Sequence, residues 1–171
     1  VITLNEPNVF LMGGFLAGVM PPGMKDGRQL YAAYANMVRA HVLARQAFLE
    51  RAKGKPITMG ISQHLQVFAP ERKWHPIDQA LTRLAEANFN HAFLEALTTG
   101  TLAIQMPGLA AGKTRIDGAE KSQDFLGINY YTRSHLKFVA GAPFITFQFK
   151  DVHKRGLTDI GWEYYPEGFG W

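Results

Sequence analysis

Val1-Ile2-Thr3-Leu4-Asn5-Glu6-Pro7-Asn8 is a β-branched run that delivers an Asn-Glu pair straight into a proline. The run predicts a strand over Val1 to Leu4, apolar enough to be buried on both faces, and Pro7 ends its hydrogen-bond ladder. Glu6 then stands at the end of the strand, where an open sheet or a barrel carries its chemistry. Asn5 beside it offers one amide donor group and one acceptor. An isolated Asn-Glu-Pro would be read more plainly, as a glutamate at the start of the next helix.

Beyond that turn, Gly13 to Gly23 is rich in glycine and closes on Pro21-Pro22-Gly23, which predicts a long loop at the rim of a site. From Gln29 to about Arg51, Leu30, Tyr34, Met37, His41, Ala44 and Phe48 recur at spacings of three and four, an amphipathic helix stopped by Gly54 and Pro56. Ile57 to Ser62 predicts a short buried strand, with a loop from Gln63 to Pro76. A second helix is expected from Ile77 to Leu97, with Leu81, Leu84, Asn88, His91 and Leu94 on one face and Gly100 just past its end. Phe125 to Asn129 predicts a third strand, and Leu136–Val139 with Phe144–Phe149 a hairpin around Ala140-Gly141-Ala142-Pro143. Strand, helix, strand, helix, strand is the α/β alternation of a parallel sheet, and nothing in 1–171 separates two domains. Val1 opens inside one expected element and Trp171 closes inside another, so the expectation is a single partial domain cut at both ends.

Composition narrows the chemistry. With 171 residues, 47% hydrophobic and 19% charged, the chain has the make-up of an ordinary globular domain. A net charge of +4 is carried by scattered lysines and arginines with no basic block, which argues against nucleic acid as a partner. No cysteine is present, which excludes a disulfide scaffold, a thiolate metal site and a cysteine nucleophile. The six histidines, at 41, 64, 75, 91, 135 and 153, form no H-x-x-x-H or H-E-x-x-H pair. His41 and His91 are expected to pack on helix faces, and neither a metal nor another cofactor is expected. No apolar run reaches ~18 residues, so no membrane span is expected. No signal segment occurs in these residues, which leaves the compartment unknown with the cytoplasm slightly favoured.

Three segments, in order, resemble glycoside hydrolase family 1, the β-glucosidase and β-galactosidase group of (β/α)8 barrels. Thr3-Leu4-Asn5-Glu6-Pro7 is similar to that family's acid/base motif. Asp124 to Thr132, D-F-L-G-I-N-Y-Y-T, is similar to its strand-six signature. Gly161 to Gly168, G-W-E-Y-Y-P-E-G, is similar to its G-W-x-x-x-P-x-G segment. The resemblance implies a partial TIM barrel, roughly strands four to six with their helices, since such barrels need ~250 residues or more. It also implies a retaining β-glycosidase acting on β-glucosides or related β-linked sugars. Glu6 would be the acid/base that protonates the leaving oxygen, and Asn5 would bind the sugar's 2-hydroxyl. The resemblance also implies that Asn129 and Tyr131 face the site, the Tyr131 hydroxyl donating to the nucleophilic carboxylate. Period-two alternation agrees, since 129 and 131 share one face of a strand and Tyr130 takes the other. Trp162 would line the aglycone subsite through its indole face. His64, placed just after the second expected strand, would border the same side. Glu163 and Glu167 match no catalytic carboxylate and are expected to be surface or helix-start charges.

The sequence also departs from that family. It contains no [IV]-T-E-N-G segment, where the family's nucleophile lies, nor the Gln, His and Glu-Trp groups that grip the sugar. Gln63-His64-Leu65 replaces an asparagine-containing run, and Ala92 and Ala96 replace the Trp and Pro of W-F-x-D-P-x-x-x-G. A non-catalytic carbohydrate-binding or scaffold protein with half a sugar site is the alternative reading. Three strands also leave two sheet edges and an apolar face open, so the chain is expected to self-associate or to pair with the missing barrel segments.

Overall fold

The computed structural model describes residues 1–141 and 145–170, residue 145 by its backbone alone. The strands and helices are β1 (Ile2–Asn5), α1 (Pro7–Leu11), α2 (Gly27–Ala52), β2 (Gly60–Pro70), α3 (Pro76–Ala85), α4 (Ala92–Thr99), β3 (Thr101–Met106), β4 (Ala110–Arg115), β5 (Phe125–Phe138) and β6 (Ile145–Gln148). π turns at Met12–Ala17 and Glu86–His91 widen the helical path after α1 and between α3 and α4. The chain gathers into two compact units: Val1–His64 with Asn88–Asn129, and Leu65–Ala87 with the residues from Tyr130 on.

In the first unit β1 runs parallel to the start of β2, Ile2 beside Gly60 and Asn5 beside Ser62 with a slip in register between them. The start of β5 flanks β2 on its other side. Gly60 is required there, because a methyl group at that position would run into the Phe125 carbonyl of β5. Ile2 is 55% exposed and Thr3 and Leu4 are half-buried, so the expected burial of β1 on both of its faces does not occur, and among the described residues β1 has a strand neighbour on one side only. α2 begins at Asp26, whose carboxylate accepts from the Arg28 and Gln29 amides, and ends at Lys53 in the left-handed region. Its buried stripe is Leu30, Tyr34, Val38, His41 and Val42. Phe48, expected on that face, is exposed, because the end of the helix extends past the core. The core joins this stripe to Leu11, Ile61, Phe93, Leu97, Leu102 and Ile104.

Two further expectations change here. The stretch from Gly13 is not loop throughout, since Met12–Ala17 continues α1 as a π turn. Gly14 permits the chain to fold back on it, because a Cβ there would lie 2.7 Å from the Pro21 carbonyl oxygen. The helix expected over Ile77–Leu97 is interrupted by the second π turn, which rotates the buried face to Ala92, Phe93, Ala96 and Leu97 and leaves His91 exposed. Asn88 anchors that turn by pairing its side-chain amide with the backbone N–H and C=O of Gln105, each at 3.0 Å. A β3–β4 hairpin, Thr101 opposite Arg115 through Met106 opposite Ala110, was not anticipated.

In the second unit the remainder of β2 lies beside the remainder of β5, and β6 pairs antiparallel with its end, His135 opposite Gln148 through Phe138 opposite Ile145. The expected hairpin forms, although its first strand is continuous with the one predicted from Phe125. Ala142, Pro143, Phe144 and Trp171 lie outside the described residues. β2 also runs beyond Ser62 to Pro70, through the first part of the loop expected over Gln63 to Pro76. Its polar Gln63 and His64 are buried, and the Gln63 amide donates to the Phe89 carbonyl at 3.3 Å, so polarity did not exclude a strand. Asp78, fully buried at the start of α3, accepts from the Arg72 side chain at 2.7 and 2.8 Å and from the Phe138 amide at 2.9 Å. The Arg72 guanidinium holds its carboxyl well below the usual carboxylate range.

Candidate active site

Glu6 sits between β1 and α1 with φ 48° and ψ 52°, a left-handed conformation that a non-glycine residue seldom adopts. Its amide donates to the Ser62 carbonyl at 2.7 Å, extending the pairing of β1 with β2 by one residue. Its own carbonyl receives the Val9 and Phe10 amides at 3.0 and 3.3 Å and so starts α1. Pro7 opens that helix, where no amide proton is needed. Strand, strained corner and helix together turn the Glu6 side chain toward β5.

Asn129 of β5 meets it there. The Asn129 amide nitrogen donates to Glu6 Oε1 at 2.8 Å and to Asn5 Oδ1 at 3.1 Å. Its oxygen accepts from the Ser62 hydroxyl at 2.7 Å. Both amide protons and the oxygen are thereby committed, so the ring of contacts fixes which way Asn129 points. Ser62 and Asn8 were not singled out from sequence. Ser62 ended an expected strand, and a small polar residue at that strand end was the only signal the sequence held for it. Asn8, fully buried, donates its amide to the His64 carbonyl at 2.8 Å and the Phe89 carbonyl at 3.1 Å.

His64 is buried in mid-β2, a correction to its expected place after the strand's end. Its ring stands edge-on to Phe89, with centroids 5.3 Å apart. Burial lowers its pKa, the Glu6 charge working in the opposite direction, so the ring is neutral at neutral pH. His41 packs as expected: its Nε2 donates to the Ser122 carbonyl at 2.9 Å, and Nδ1 then accepts from the Thr3 hydroxyl at 2.5 Å.

The second unit holds the other two candidates. The Tyr131 ring lies 5.5 Å from that of Trp162, and Phe149 lies 6.0 Å from Trp162 on its own account. Trp162 is half-buried and Tyr131 more open. Beside them Glu163 overturns its reading as a surface or helix-start charge. It is 1% exposed and takes a bidentate pair from Arg133 at 3.0 and 2.6 Å. The Thr132 hydroxyl donates to its backbone carbonyl at 3.0 Å, and the Arg133 guanidinium covers the Tyr165 ring at 3.9 Å. A carboxylate so buried requires such a partner, and sequence alone did not reveal one. Glu167 does lie at a helix start, in the 3₁₀ turn Pro166–Gly170, paired with Arg155.

A shallow hollow of about 370 Å³ between the start of α2 and the β3–β4 turn, lined by Gly27, Arg28, Tyr31, Met106, Gly108 and Leu109 among others, contains none of the candidate residues. It brings no pair of carboxylates together.

Comparison with known proteins gives the setting. The family model described as "Glycosyl hydrolase family 1" matches residues 1–170. "Beta-glucosidase A" of Thermotoga maritima is 33% identical over 99% of this chain and 39% of that protein. The solved beta-glycosidase from Pyrococcus horikoshii superposes with a TM-score of 0.78 at 26% identity, covering 98% of this chain and 37% of that one. A Thermotoga maritima beta-glucosidase solved in complex with castanospermine superposes with a TM-score of 0.73 at 29% identity, covering 99% and 38%. The chain thus spans about two fifths of the length of the relatives it matches, and its architecture is an α/β partial barrel.

Proposed function

Because the chain belongs to glycosyl hydrolase family 1, we propose that it carries the acid/base side of a retaining β-glycosidase site, on strands four to six of a (β/α)8 barrel. Glu6 protonates the leaving oxygen and, in the second step, takes a proton from water. A nucleophilic carboxylate ~5 Å away completes the pair, supplied by a part of the family barrel that these 171 residues do not contain. Asn5 binds the sugar 2-hydroxyl, a contact that tightens as positive charge develops on the ring. Tyr131 orients the nucleophile and Trp162 offers its indole face to the aglycone. His64, buried behind Glu6 on β2, supports the acid/base side without touching sugar. The substrate class is β-glucosides or related β-linked sugars, and the double displacement draws on side chains alone.

The observation that carries this reading is the Glu6 carboxylate at the strand end, gripped through Oε1 by the Asn129 amide that also holds Asn5.

Hydrolysis of aryl β-glucosides by the complete barrel and by its identically prepared Glu6→Gln form tests it, since the 171 residues alone lack the nucleophile and are expected to be inactive. The expected result for a protein that turns over is loss of activity on poor leaving groups in Glu6→Gln, with activated aryl glycosides spared and azide restoring the second step. Equal loss on all substrates, without azide rescue, would make Glu6 structural. Binding of millimolar sugar without turnover in either form would favour the non-catalytic reading suggested by the missing nucleophile segment.

A further inference from the structure

We propose that Asn8 is a positioning residue that holds Glu6 in its left-handed conformation. This rests on the reading of Glu6 as the acid/base. A glutamate at φ 48° has its Cβ close to the following carbonyl, so the backbone relaxes from that region unless both sides are fixed. Upstream, the Glu6 amide is fixed by the Ser62 carbonyl at 2.7 Å. Downstream, Pro7 has no amide proton to contribute, and the first side-chain anchor is Asn8.

Asn8 is completely buried in the first turn of a five-residue helix, too short to hold itself. Its two amide protons go to separate elements: one to the His64 carbonyl in β2 at 2.8 Å, the other to the Phe89 carbonyl in the second π turn at 3.1 Å. The widened turn presents the Phe89 carbonyl to side-chain donors, since the Gln63 amide reaches it as well, at 3.3 Å. Only one residue separates Glu6 from this double anchor. The torsion at Glu6 therefore cannot relax without breaking the Ser62 contact or both Asn8 contacts. The 2.8 Å approach of Glu6 Oε1 to Asn129 depends on that torsion.

Hydrogen exchange of the α1 amides in the full chain, followed by mass spectrometry, tests this in a double-mutant cycle. Asn8→Ala removes two buried hydrogen bonds and is expected to speed exchange in both backgrounds, but with Glu6 in place the left-handed strain is released once the anchor is gone and offsets part of the loss. In a Glu6→Gly background, where that conformation is free of strain, nothing offsets the lost bonds, and the same substitution is expected to speed exchange about tenfold more than it does with Glu6. The same factor in both backgrounds would overturn the proposal, because a merely structural Asn8 would be indifferent to the residue at position 6. Asn8→Ser, which keeps one donor, gives an intermediate factor and serves where Asn8→Ala does not fold. Glu6→Gln removes the acid and keeps the strain, so the same offset factor as with Glu6 is expected there. Undiminished turnover of poor leaving groups in Glu6→Gln would sink the acid/base reading and leave the coupling of Asn8 to position 6 standing.

Discussion

Replacing Glu163 by glutamine removes one negative charge and almost no volume, and its effect follows from the surroundings of Arg133. That guanidinium is 13% exposed, lies over the Tyr165 ring at 3.9 Å, and sends two bonds to a carboxylate that is itself 1% exposed. With glutamine at 163 one acceptor remains and the counter-charge does not, which leaves a buried cation uncompensated. Breaking a buried pair from one side costs about 3–5 kcal/mol, and the retained acceptor places Glu163→Gln at about 3. With a urea dependence of about 1–3 kcal/mol per molar, the unfolding midpoint should fall by about 1–3 M. The assay is urea denaturation at matched protein concentration, because association adds to apparent stability. The double variant Arg133→Met/Glu163→Gln removes both charges, and it should recover most of the loss apart from the cation–π contact of about 0.5–2 kcal/mol. A Glu163→Gln change below about 1 kcal/mol, or a double variant no better than the single, would refute the reasoning.

Gly60→Ala sets a methyl group against the Phe125 carbonyl of the neighbouring strand, and should destabilise by about 1–3 kcal/mol; an unchanged melting temperature would show that the two strands separate freely. Asp124 is bonded by Arg45 at 2.7 and 2.8 Å and by the Met59 amide at 2.9 Å, and these hold its carboxyl down at about 2. Its folded pKa lies below the unfolded value of about 4, so its contribution is complete above that value and disappears as pH falls through the interval down to about 2. Asp124→Asn should flatten the acid limb of stability over that interval, and an unaltered limb would assign the acid sensitivity elsewhere. The chain should also self-associate through β1, which has one neighbour among the described residues and an exposed Ile2. A monodisperse monomer in light scattering would contradict this.

The legible part of the sequence was the part whose geometry is local. Pro7 and the β-branched run located the β1 corner to within a residue, and the three- and four-residue spacings located α2. The β3–β4 hairpin was equally readable, since Leu102, Ile104 and Met106 alternate before the turn signal Pro107-Gly108. What could not be read depends on partners distant in the chain. Gln63 and His64 read as loop because the Phe89 carbonyl that receives Gln63 lies 26 residues away. Glu163 read as surface because its arginine is 30 residues upstream. The second π turn was equally hidden, because Asn88 widens the helix to pair with Gln105 on a strand that had not been anticipated. The association of Asn5 and Glu6 with Asn129 was implied by family resemblance, and periodicity contributed only which side of β5 Asn129 takes.

The left-handed corner at Glu6 has a consequence for anyone altering this protein by selection. A residue that is uncomfortable where it stands is a position at which heat resistance and chemistry reward different letters. A library randomised at position 6 and sorted only for survival of heating should enrich glycine and asparagine, which tolerate that corner at little cost. The same library sorted for hydrolysis in the complete barrel should return glutamate.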